Sequence, residues 1–208
     1  MVLETSGFVV AFSTIVGTLL LAELTDKDAL LLLTLATRMR PLLVFAAGAV
    51  AFTTTSAIIV LLGSAIAHYV PIAWVKLAGG AIMLGYALFE FLRGVRVKED
   101  LEKGEESLFR HFGRKEVYAF LGILGSLILL DLAGDATELL TVVFVAQYGD
   151  ILLVFSGAVV ALVAASAIET ALGNRLGRLL SARRVRNLSV VVFLVIGSVI
   201  VLTSGISL

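Results

Sequence analysis

The chain contains no cysteine, only two prolines and few charged residues: of its 208 residues 60% are apolar and 15% are charged, and the formal net charge is zero. The absence of cysteine excludes a disulfide-stabilised scaffold. A nucleic-acid-binding domain carries an excess of basic residues, which this chain lacks. Soluble domains are about one-quarter charged, so the composition also excludes a disordered chain and an ordinary water-soluble enzyme. With a mean hydropathy of +1.08, the chain is predicted to be an integral membrane protein.

Long runs without charged residues locate the predicted transmembrane helices, because about 20 apolar residues cross a hydrocarbon core of ~30 Å as a helix. Two of these runs are short, but each continues past an acidic cluster into another apolar stretch, so we predict one long helix at each place. An open sheet is not expected, since it would leave backbone polar groups unpaired in lipid. The result is an all-α fold with six spans, at 7–37, 41–67, 72–92, 117–147, 151–172 and 185–203.

Basic residues concentrate on one side of these spans, mainly in the polar stretch 94–116 and in 175–186. Because cytoplasmic loops carry the excess of Lys and Arg, we expect the central loop in the cytoplasm and both termini outside. The expected location is therefore the cytoplasmic (cell) membrane, as a multi-pass protein. The first residues lack the basic segment of a signal peptide, and no cleavage is expected.

The two halves of the chain are similar to each other. LLVFAAGAV at 42–50 corresponds to LLVFSGAVV at 152–160, and SAIIVLLG at 56–63 corresponds to SAIETALG at 166–173. With three spans in each half, the second copy has inverted topology, which is typical of secondary transporters with a site at the membrane midplane; channels also use it. The predicted units are a first three-helix repeat at 1–94, a cytoplasmic loop at 95–116 and a second three-helix repeat at 117–208.

Acidic residues lie near the middle of the first and fourth predicted spans, where an ionised carboxylate is costly. If both spans are continuous helices, Glu23 and Asp26 share one face, and Asp131, Asp135 and Glu138 form one stripe. When the repeats pack face to face, Glu23, Asp26, Asp131 and Asp135 converge as a metal site. Four carboxylates in a dry pocket must hold a cation or bind protons. Alternation between these two states is the chemistry of a cation/proton antiporter.

Further polar residues are candidates for the metal site or for a proton path, namely Lys27, Asp28, Thr137, Glu138 and Glu169. Three of the candidate acids, taken from both sets, also have structural interpretations. Glu23 has the spacing of an ion pair with Lys27, Glu169 could be a protonated acid bonded to a neighbouring helix, and Asp28 could contact a helix end.

Hydroxyl groups at Thr25, Thr141 and 53–56 complete an all-oxygen set of candidate ligands. Such a set suits Mn²⁺, Ca²⁺ or Mg²⁺ and argues against copper or zinc. No catalytic residue and no resident cofactor is expected.

At the acidic clusters the sequence resembles a family of small six-helix cation/proton exchangers. This family includes the eukaryotic Golgi manganese/calcium transporter and bacterial manganese exporters, and it is grouped with the lysine-exporter (LysE) superfamily. Its motif, Glu-x-Gly-Asp-(Lys/Arg)-(Thr/Ser), occurs once on the first helix and once on the fourth. The matching positions here are Glu23, Asp26 and Lys27 in ELTDKD, and Gly134, Asp135 and Thr137 in DLAGDATE.

The resemblance implies that Glu23, Asp26 and Asp135 bind the transported ion. At the second motif Leu132 stands at the glutamate position. We assign the role of the missing glutamate to Asp131, which lies one place earlier.

We therefore expect a proton-coupled ion transporter and not an enzyme: a divalent cation (Mn²⁺ or Ca²⁺)/proton antiporter. Its expected partners are the cation, protons and the lipid bilayer, without nucleic acid, and a homo-oligomer is left open. The alternatives are an exporter of amino acids or of another small cation, and a passive cation channel. An intramembrane aspartyl protease would account for AGD at 133–135, but its first glycine is replaced by Leu132 and no Tyr-Asp partner motif occurs.

Overall fold

The structure is a computed structural model that describes residues 5–93, 116–132, 136–176 and 182–204. In these ranges all regular secondary structure is helical, as predicted. The helices are α1 (Thr5–Glu23), α2 (Lys27–Arg38), α3 (Pro41–Tyr69), α4 (Ile72–Arg93), α5 (Glu116–Leu132), α6 (Ala136–Tyr148), α7 (Ile151–Leu176) and α8 (Ala182–Ser204).

Three of the described helices are long and apolar enough to cross a membrane, judged by length and composition: α1 over Ser6–Glu23, α3 over Pro41–Tyr69 and α7 over Ile151–Gly173. Helices α4, α5, α6 and α8 contain shorter apolar stretches. Large apolar side chains such as Leu42 and Leu129 are exposed on the outside of the bundle. These features agree with a membrane protein, and the count of six spans stays a prediction.

Helix ends follow the local sequence. Pro41 occupies the first turn of α3, where its missing N–H leaves no hydrogen bond unmade. Gly149 ends α6 with φ of +65° and donates its N–H to Val145 O at 2.9 Å, a conformation that glycine adopts without steric cost. Asp150 Oδ1 then accepts the N–H of Leu153 at 3.0 Å and so caps the start of α7.

The prediction of one continuous helix over 7–37 is wrong. Helix α1 ends at Glu23 and α2 begins at Lys27, with a turn between them. In this turn the N–H of Thr25 bonds to Ala22 O at 3.1 Å and the N–H of Asp26 bonds to Glu23 O at 2.9 Å. These contacts between residues three apart replace the α-helical pattern, so the helical spacing of Glu23 and Asp26 no longer places them on one face.

The predicted helix over 117–147 includes residues outside the described ranges. Its described parts are α5, which ends at Leu132, and α6, which begins at Ala136. Asp135 and Gly134 of the second motif lie between them, outside the described residues.

The helices pack mainly on helices from the other half of the chain. Helix α7 contacts both α1 and α2, and α3 contacts both α5 and α6. Helices α3 and α7 also contact each other, and α4 packs along α8. In the repeat alignment, α3 corresponds to α7 and the α1–α2 pair to the α5–α6 pair. Each central helix thus packs against the two helices that flank the acidic motif of the opposite half.

Close backbone approach holds two of these interfaces together. A Cβ on Gly80 of α4 would lie 3.1 Å from Gly197 O of α8, and one on Gly197 would lie 3.2 Å from Gly80 O. A Cβ on Gly173 of α7 would collide with the carbonyl oxygen of Leu33 and with Ala36 on α2. Small residues let apolar helices pack closely in this way.

Candidate ion-binding site

The buried polar side chains of the described residues occur in four short segments. Two segments are the acidic motifs, and the other two lie on α3 and α7, the central helices that pack on them. Burying a polar group is costly unless it finds a partner. Packing of the apolar core therefore does not explain this set of buried polar residues, which we call the polar band. The residues are Glu23, Thr25, Asp26, Asp28, Thr55, Ser56, Asp131, Thr137, Thr141, Ser166, Glu169 and Thr170.

One part of this band forms a small pocket between α3, α5, α6 and α7. Its polar lining consists of hydroxyl and carboxyl groups, and Phe52, Ile59 and Leu162 supply the apolar part. The polar lining residues are Thr55, Ser56, Asp131, Thr137, Glu138 and Thr141. Oxygen donors of this kind are the ligands of hard cations.

Asp131 is held in this pocket by a helix from the other half of the chain. Thr55 Oγ1 on α3 donates a hydrogen bond of 2.7 Å to Asp131 Oδ2 on α5. Asp131 is only 4% exposed. The contact orients the carboxyl group.

The first motif is placed around the interruption between α1 and α2. Glu23 is the last residue of α1 and Asp26 lies in the turn, and both side chains are buried. Thr25 Oγ1 donates to Leu21 O and Ala22 O, which turns this hydroxyl towards its own helix end. Lys27 begins α2, and its side chain lies outside the described part of the structure.

The expected convergence of four carboxylates involves a residue that the structure does not describe. Within 5–93, 116–132, 136–176 and 182–204 no three His, Cys, Asp or Glu side chains are grouped so that they could hold a metal ion. Glu23, Asp26 and Asp131 alone therefore do not form such a group. Asp135 lies outside these ranges, so the complete set stays a prediction.

A second buried polar region lies where α2 packs on α7. Asp28 and Glu169 are each 1% exposed, and they are close enough for their carboxyl groups to interact electrostatically. Neither carboxyl oxygen of Glu169 has a hydrogen-bond partner in the described part of the chain. The interpretation of Glu169 as an acid bonded to a neighbouring helix is therefore not seen there.

The hydroxyls at 53–56 are among the predicted ligands, but the sequence does not indicate which of them contacts Asp131. Ser166 was not among the predicted ligands. The repeated tripeptide SAI, at 56–58 and 166–168, is the signal that could have identified both serines. Each is buried, one in each polar region.

The sequence model of the divalent cation/proton antiporter GDT1 family matches residues 11–97 and 119–206. These ranges cover most of the chain, with one range in each half. The chain belongs to this family. The resemblance inferred from the two acidic motifs is thus confirmed, and GDT1 membership indicates a divalent cation/proton antiporter, which is a transporter and not an enzyme.

Comparisons of this GDT1 family member with curated proteins and with solved structures gave no match.

Proposed function

We propose that this antiporter exchanges Mn²⁺ or Ca²⁺ for protons at a carboxylate site formed by Glu23, Asp26, Asp131 and Asp135. The observation that carries the proposal is the Asp131 pocket, in which a buried carboxylate is oriented by Thr55 among further oxygen donors. Oxygen ligands favour hard divalent cations over copper or zinc. Thr137 and Thr141, which line the same pocket, add two neutral oxygen donors.

The proposed architecture is two three-helix repeats of inverted topology, at 1–94 and 117–208, joined by a cytoplasmic loop at 95–116, with both termini outside the cell membrane. Its support is the pattern of helix contacts, in which α7 packs on α1 and α2 as α3 packs on α5 and α6. An interrupted helix next to the acids, as between α1 and α2, is also a feature of transporter sites near the midplane.

Charge compensation supplies the coupling in this proposal. Buried carboxylates are stable either with a bound cation or with protons, and the two forms of compensation exclude each other at the same oxygens. Arrival of a divalent cation on one side displaces protons, and protons entering from the other side release the cation. Rocking of the two repeats around the site would expose it to each side in turn. The proposed direction is cation export driven by proton entry.

The test is cation flux in proteoliposomes that carry a pH gradient. Uptake of Mn²⁺ or Ca²⁺ should depend on the gradient and should fall to background in Asp131→Asn, whose amide cannot balance the ion's charge. Asp150→Asn is the matched control, because Asp150 caps α7 and asparagine caps helices equally well. Flux that ignores the pH gradient in tight vesicles, or full activity in Asp131→Asn, would contradict the proposal.

A further inference from the structure

The contact between α2 and α7 encloses acidic groups that the Asp131 pocket does not use. Gly173 allows the backbone of α7 to approach Leu33 O of α2. One turn earlier on α7, Glu169 lies near Asp28 in the first turn of α2, and each side chain is 1% exposed. Two buried carboxyl groups thus lie near each other in this interface.

Ser166 contributes a third oxygen on the same face of α7. It precedes Glu169 by three residues, which places both side chains on one side of the helix. Ser166 is completely buried, and its Oγ lies only 2.6 Å from where a Cβ on Gly48 would be. Neither this Oγ nor the two carboxyl oxygens of Glu169 has a hydrogen-bond partner among the described residues. Three buried oxygen atoms with unused bonding capacity therefore lie on one side of α7.

The donor atoms of this group indicate the kind of ligand. When both carboxyl groups are ionised they carry two negative charges, which either one divalent cation or two protons balance. Carboxylate and hydroxyl oxygens select hard cations. Thr170, on the next turn, is not part of the group, because its Oγ1 donates to Ser166 O at 2.7 Å.

We infer that Asp28, Ser166 and Glu169 form a second site for a hard divalent cation, separate from the Asp131 pocket. The inference rests on the proposed function only for the choice of Mn²⁺ or Ca²⁺ as the ion. The repeat relates the two places: Ser166 corresponds to Ser56 of the Asp131 pocket, and Asp28 stands at the motif position that Thr137 occupies in that pocket. Each site thus combines one of the two repeated serines with an acid from the opposite half of the chain.

The test is the stoichiometry of Mn²⁺ binding to the full chain in detergent, measured by isothermal titration. The wild-type protein should bind two ions, and Glu169→Gln and Asp131→Asn should each bind one. The double variant should bind none. Ser166→Ala is a milder change and should lower the affinity for one of the two ions at least about tenfold. Thr170→Val is the matched control on the same helix and should retain both ions at wild-type affinity.

Two ions in Glu169→Gln, unaltered binding in Ser166→Ala, or loss of all binding in Asp131→Asn alone would overturn the second site. If Asp28 and Glu169 share a proton instead of binding a cation, Glu169→Gln would still bind as many ions as the wild-type protein. Flux in proteoliposomes separates this outcome from failure of the proposed function. If the wild-type protein shows gradient-driven exchange and Glu169→Gln still binds two ions, only the second site is refuted. If Glu169→Gln loses one ion but the wild-type protein shows no gradient-driven exchange, only the antiport proposal is refuted.

Discussion

The Oγ1 of Thr55 and the Oδ2 of Asp131 are joined by a buried hydrogen bond of 2.7 Å. The two residues are 76 positions apart in the chain and belong to different halves. A helix of the first half therefore positions a carboxylate of the second half. Any movement of α3 relative to α5 changes the environment of that carboxylate directly.

Replacement of this hydroxyl should weaken cation binding while the fold is kept. Thr55→Val preserves the shape of the side chain but removes the hydrogen bond from Thr55 to Asp131. We expect at least about tenfold weaker Mn²⁺ binding and about 1 kcal/mol lower stability, measured by isothermal titration and thermal unfolding in detergent. Thr54→Val is the control, because Thr54 is exposed and bonds to Val50 O of its own helix. Equal affinities in the two variants would argue against a role for Thr55.

Neutralising the motif aspartates should stop transport without unfolding the protein. Asp26→Asn and Asp135→Asn keep the size of each side chain but remove the charge that a divalent cation needs. We expect flux at background in both variants and normal elution as a folded protein in size-exclusion chromatography. Full activity in both would remove these two residues from the site.

A methyl group at Gly173 should destabilise the packing of α2 on α7. The Cβ of Gly173→Ala would collide with Leu33 O and Ala36, and overpacking of this kind costs about 1–3 kcal/mol. Gly85→Ala on α4 is the control, since a Cβ there meets nothing within 4 Å. Thermal unfolding should show a lower midpoint for the first variant and an equal or higher one for the second. Equal midpoints would mean that the contact is easily relieved.

The turn between α6 and α7 should require glycine for stability but not for transport. Gly149 has a φ of +65°, and an L-residue in this region costs roughly 1–2 kcal/mol. Gly149→Ala should therefore lower the midpoint of thermal unfolding while the flux per folded molecule stays at the wild-type value. A large loss of flux with unchanged stability would show that this turn takes part in transport.

The sequence predicted the helices that begin or end at strong local signals. The predicted starts of α3, α4 and α7 agree with the structure because Pro41, Pro71 and Asp150 mark them. It did not predict the end of α1 at Glu23, although Thr25 and Asp26 favour local bonds over helix continuation. The apolar residues on both sides of the motif dominated the prediction.

Of the predicted acids in the described residues, Glu138 is half-buried and the others are buried, but their partners could not be derived from the sequence. The contact of Thr55 with Asp131 and the proximity of Asp28 to Glu169 join distant parts of the chain. Helical spacing relates residues within one helix only. In the first motif even this relation fails, because the helix ends at Glu23 and a new one begins at Lys27. Each partner depends on how α3 and α7 pack against the opposite half.

The backbone contact at Gly173 also bears on how the protein can bend. At this point the backbone of α7 packs against the Leu33 carbonyl oxygen and the small side chain of Ala36 on α2, so we expect steric resistance when one helix slides past the other. We therefore expect α2 to remain packed on α7 when the protein changes conformation. Only residues 24–26 connect α1 to α2. A change in the angle between these two helices would therefore occur in this short segment, next to the carboxylate of Glu23.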